Sequence, residues 1–118
     1  MNETYRMLAE WGCDIDAARE RFMLDDDLYA NCLKIFVEDS NFEALGRYVR
    51  SGMYKQAFEC AHTLKGVAGN LGITPIYKAT AEIVEDLRKS ESDRLQNLYE
   101  KVLYEYEELQ HILSSLVL

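Results

Sequence analysis

Apolar positions recur at steps of three and four residues along nearly the whole chain and seldom alternate with polar ones, which predicts helices joined by short turns. A first helix runs from Asn2 to Trp11 and closes at Gly12. A second follows Asp14, a candidate N-cap, with Ile15, Ala18 and Phe22 at helical spacing. Asp25-Asp26-Asp27 puts negative charge on the first turn of a third, where the helix dipole favours it. Leu28, Cys32, Ile35 and Phe36 form the expected apolar face of that helix, which should end near Asn41. Phe42, Leu45 and Val49 mark a fourth, stopped by Ser51-Gly52.

Met53 to Leu71 reads as a fifth helix with Gly72 as its C-cap. Thr74-Pro75 is a start signal, a capping hydroxyl followed by proline at the first helical position, and Ile76, Ala79, Ile83 and Leu87 continue that sixth helix. Ser92-Asp93 opens the last one, with Leu95, Leu98, Val102, Leu109, Ile112 and Leu116 on its apolar side. Short connections make consecutive long helices antiparallel neighbours. The expected architecture is all-α: an antiparallel four-helix bundle with short additional N-terminal helices, in one domain spanning residues 1–118. The apolar tail Leu113 to Leu118 is expected to complete this bundle rather than join a second chain, so a monomer is expected.

Composition narrows the function. A net charge of −8 argues against nucleic acid, whose binders cluster Lys and Arg to displace counterions, and against anionic membrane surfaces. Cys13, Cys32 and Cys60 are an odd number without a CxxC pair, which favours a reducing compartment over a disulfide scaffold or zinc site. The N-terminus lacks an apolar leader pattern, and no stretch approaches the ~20 apolar residues that span a bilayer. A cytoplasmic location is the expectation.

Of two histidines, His111 lies among Glu107, Glu108 and Gln110 and reads as an ordinary helix residue. His62 is different. Ala57, Ala61, Leu64, Ala68 and Leu71 define a buried stripe, and His62 sits roughly 120° from its centre, so it should look outward. Gly66 and Gly69 share its side, one and two turns on. Each costs about 1 kcal/mol relative to alanine inside a helix, and open access for another protein's surface is a reason to keep them; close helix packing is the bland alternative. Lys65, three residues after His62, can stabilise the roughly two negative charges of a phosphoryl group as a point charge.

The string Ala61-His62-Thr63-Leu64-Lys65-Gly66, followed by Leu71-Gly72, resembles the signature of histidine phosphotransfer (HPt) domains. Gly12, Asp14, Arg21-Phe22, Asp27-Leu28-Tyr29, Leu33 and Phe36 resemble the segment preceding it, so the likeness runs from Gly12 to Leu87. It implies a four-helix bundle whose exposed histidine exchanges phosphate with the aspartate of a receiver domain. By position His62 matches the phosphoryl acceptor, Lys65 the basic residue beside the phosphoryl group, and Gly66 the glycine that leaves room for the partner. One departure stands out: Val84 occupies a position where the family often has Glu or Gln to hold the other imidazole nitrogen, and Glu82 and Glu85 are offset around the helix.

Imidazole is substantially neutral, and so nucleophilic, near cytosolic pH. The expected role is a free-standing, non-enzymatic phosphorelay carrier with response-regulator receivers, and a hybrid histidine kinase, as partners. Phe58, Lys55, Gly66, Gly69 and Asn70 are the candidate docking surface around His62 and Lys65. Neither metal ligands nor a nucleotide loop is recognisable, so no cofactor is expected and Mg²⁺ should come from the receiver. Two alternatives stay open: a receiver- or kinase-binding helical adaptor that transfers nothing, and the phospho-accepting domain of a chemotaxis-type kinase. A metal-dependent bundle enzyme lacks the paired Glu and Glu-x-x-His ligands such sites use.

Overall fold

Three of the chain's breaks fall at glycines in the positive-φ region, Gly12 at 112°, Gly52 at 69° and Gly72 at 73°. That region carries no penalty without a Cβ. The computed structural model describes residues 2–114, and these form α1 (Asn2–Trp11), α2 (Ile15–Arg21), α3 (Asp26–Val37), α4 (Asn41–Arg50), α5 (Tyr54–Leu71), α6 (Thr74–Arg88) and α7 (Leu95–Leu113). No strand occurs among the described residues. Helix α5 packs between α4 and α6, and α7 touches both α6 and α4, which closes an all-α four-helix bundle. The N-terminal helices α1 to α3 pack around it: α2 and α3 on α5, α1 and α3 on α7. Leu116 and the rest of the apolar tail after Ser114 lie outside the described residues.

The stripes set these contacts. Leu45 and Val49 of α4, Leu64 and Ala68 of α5, Ile76 and Ile83 of α6, and Leu98, Val102 and Leu109 of α7 all enter one core. Aromatic side chains with a polar tip stitch the elements while staying satisfied. The Tyr99 hydroxyl donates to the Phe42 carbonyl at 3.1 Å, Tyr106 to that of Val37 at 2.7 Å, and the Trp11 indole to Glu105 at 2.6 Å.

Four local expectations need correction. Helix α3 presents Tyr29, Ala30, Leu33 and Phe36 to the core, whereas Leu28 is 47% and Ile35 70% exposed. The face turns because Tyr29 is drawn inward, where its hydroxyl donates to the Leu71 carbonyl at 2.6 Å. The helix also stops at Val37 rather than near Asn41, because the Asp39 carboxylate accepts from the Asn41 amide at 2.8 Å and starts α4. Thr74 is already helical, with Ile73 as N-cap, and its hydroxyl donates to Gly72 instead of capping.

The last correction concerns α7, which starts at Leu95 rather than after Ser92-Asp93. Arg94 donates two hydrogen bonds, at 3.1 and 2.8 Å, to the buried Asp86 carboxylate near the end of α6, fixing the turn between them. Those bonds hold the Asp86 carboxyl below the usual carboxylate range. Their contribution is therefore present above the ordinary aspartate pKa of about 4 and is lost as pH falls through the lower folded value. Asp86→Asn should lower the melting temperature at neutral pH and flatten its decline below about pH 4. Parallel acid declines in wild type and variant, followed by circular dichroism, would exclude this pair as a source of acid sensitivity.

Candidate functional site

Helix α5 carries the site because its two sides differ. Ala57, Ala61, Leu64, Ala68 and Leu71 are all buried, with Cys60 beside them, so His62 points away from the core and is exposed. One turn earlier Phe58 is half-buried, and its ring lies 14° from parallel to the imidazole with centroids 5.8 Å apart. Helix α6 adds two residues that the sequence did not single out. The Arg88 guanidinium sits over the Phe58 ring at 5.8 Å, and the Lys65 ammonium sits over the Tyr77 ring at 5.6 Å. His62 thus lies between two cation–aromatic pairs. Their α6 members carry no sequence signal of their own, since only the antiparallel pairing of α5 with α6 brings them there.

The two glycines differ. A Cβ at Gly66 would have nothing within 4 Å, so this side of the helix is open. A Cβ at Gly69 would meet the Tyr77 ring at 3.3 Å, so Gly69 seats that ring as well as facing outward. Lys55 is exposed and shares a shallow groove with Tyr54, Phe58, Glu59, Leu87 and Arg88. Asn70 is exposed, further along α5.

The C-terminal end of α5 is fastened by residues from outside it. Arg21 donates to the carbonyls of Gly69 and Asn70, both at 3.0 Å, Tyr29 to that of Leu71, and the Asp14 amide to that of Gly72 at 2.9 Å. Helix α5 has no basic residue in its last turn, and Arg21 supplies the cation that the carbonyl end favours. The N-terminal segment thereby satisfies the last carbonyls of the site helix.

Val84 is fully buried and offers the imidazole no polar atom. The two nearby carboxylates are engaged elsewhere, Glu85 with Arg88 at 2.9 Å and Glu82 with Lys101 at 3.6 Å. Among the described residues no side chain hydrogen-bonds the His62 ring. His111 is exposed on α7, beside Trp11 and Glu10 of α1. The three cysteines are free thiols, and burial pushes Cys13 up to about 12, far from a thiolate at neutral pH. Among the described residues, no three His, Cys, Asp or Glu side chains gather as metal ligands.

Comparison with known families agrees with this geometry. The family model described as Hpt domain matches residues 33–116, from the middle of α3 past the end of α7. No curated protein and no solved structure matches the chain.

Proposed function

The chain belongs to the Hpt domain family, and on that footing we propose that it carries a phosphoryl group on His62, taking it from the aspartate of one receiver domain and handing it to another. Hpt domains serve histidine phosphotransfer in phosphorelay signalling and interact with receiver domains and kinases. The observation that carries the finer reading is the exposed His62 imidazole beside the unoccupied space over Gly66. A receiver's aspartyl phosphate can approach there in line with the ring edge.

In the proposed step the Nε2 lone pair forms a bond to phosphorus while the bond from phosphorus to the aspartyl oxygen breaks. The carboxylate leaves with the electron pair, and the reverse step returns the group. Phosphoryl transfer of this kind needs positioning and charge neutralisation more than acid–base chemistry. Lys65 is the residue we assign to neutralisation, leaving the Tyr77 ring, where its ammonium gains a modest cation–π contact, for the stronger charge of the phosphoryl oxygens. The Mg²⁺ is assigned to the receiver, and Lys55, Phe58, Gly69 and Asn70 to the docked surface. We further assign the carrier to the cytoplasm, as a monomer without ATP-binding machinery of its own; no helix of the described residues is long and apolar enough to cross a membrane.

Incubation with a panel of phosphorylated receivers tests this reading. The wild type should acquire acid-labile, base-stable label, and Gly66→Leu should acquire it at least about tenfold more slowly, since the new side chain stands where a receiver must close. The variant should be no less stable, because glycine in a helix costs about 1 kcal/mol and nothing crowds the position. Label that no receiver donates, or an unchanged rate in Gly66→Leu, counts against the proposal.

A further inference from the structure

We infer that Phe58 is the positioning residue for the His62 imidazole, holding the ring by its face rather than through a hydrogen bond. The inference rests on His62 being the acceptor and adds what orients it. An exposed side chain without an anchor hops between rotamers within nanoseconds, whereas in-line attack requires one orientation at the moment of docking. The usual anchors are missing here: Val84 is apolar and buried, and Glu82 and Glu85 are paired with Lys101 and Arg88.

What does touch the imidazole is the Phe58 ring, one helical turn away, near-parallel and at a centroid distance within the range for offset stacking. Phe58 is itself held. It is half-buried and packs against the core, and the Arg88 guanidinium, fixed in turn by Glu85, lies over its ring. A contact through the ring face limits rotation of the imidazole but occupies neither nitrogen, so the Nε2 edge stays available for the bond to phosphorus.

Phe58→Leu, Phe58→Met and Phe58→Tyr separate positioning from docking, with folding verified by circular dichroism. Two readouts apply: the NMR shifts of the His62 ring protons in the free protein, and transfer from a phosphorylated receiver across a range of receiver concentrations. Phe58→Leu and Phe58→Met should lose the ring-current displacement of those protons and lower the maximal transfer rate about two- to tenfold, beyond any rise in the half-saturating concentration that the lost docking contact brings. Phe58→Tyr, which keeps the ring, should restore both. A wild-type maximal rate in the leucine and methionine variants overturns the inference, as does a change confined to the half-saturating concentration, which would make Phe58 a docking contact only. A wrong acceptor would show itself separately, as label persisting in His62→Gln whatever stands at position 58.

Discussion

Replacing His62 by glutamine should reduce phosphoryl acceptance from a labelled receiver by roughly a thousandfold or more, since the nucleophile is removed rather than weakened. Glutamine keeps length and polarity, but its amide nitrogen has no free lone pair to offer phosphorus. The fold should be untouched: His62 is exposed and its side chain makes no hydrogen bond among the described residues, and substitutions of that kind usually move stability by no more than about 0.5 kcal/mol. His111→Gln is the matched control. That residue is also exposed and also helical, but it stands on α7 beside α1, and its variant should accept label at the wild-type rate. Base-stable label retained by His62→Gln, or lost in His111→Gln, would move the acceptor away from position 62.

The site helix was largely legible in the sequence, because a helical stripe is a local property. Alternation of Ala57, Ala61, Leu64, Ala68 and Leu71 with polar neighbours specifies which side is buried, and the same arithmetic turns His62 outward. Gly72 was legible for a similar reason, as few residues other than glycine tolerate its φ of 73°. Features that depend on a partner element were not. Nothing near Leu28 and Ile35 says that Tyr29 will find the Leu71 carbonyl, 42 residues on, and rotate α3 about that bond. Ser92 and Asp93 have capping chemistry, yet Arg94 sets the start of α7 through an ion pair to a residue on the preceding helix. Tyr77 and Arg88 belong to the same class. Their place beside Lys65 and Phe58 follows from how α6 pairs with α5, and the pattern of α6 alone states only which residues it buries.

That dependence on partner elements makes Gly72 a position where one methyl group should do marked damage to the fold. Gly52 and Gly72 have nearly the same backbone, φ 69° and 73°. A Cβ at Gly52 would meet only the Tyr54 hydroxyl, at 3.9 Å. At Gly72 it would run into the Asp14 carbonyl oxygen, a backbone atom that cannot swing aside, and approach the Ala18 Cβ at 3.0 Å. Both alanine variants bear the left-handed penalty of about 1–2 kcal/mol, partly offset by a less flexible unfolded chain. Only Gly72→Ala must also push α2 away from the end of α5, breaking the Asp14–Gly72 hydrogen bond and loosening the Arg21 contacts that cap the site helix. We expect about 1 kcal/mol for Gly52→Ala and about 3 kcal/mol for Gly72→Ala, which for a chain of this length means melting temperatures lower by roughly 4 °C and 12 °C. His62 lies nearly three helical turns upstream, so phosphoryl acceptance at low temperature should fall only with the folded fraction. Equal costs in the two variants, measured by thermal and urea unfolding, would mean that the docking of α2 against Gly72 contributes nothing beyond the backbone conformation itself.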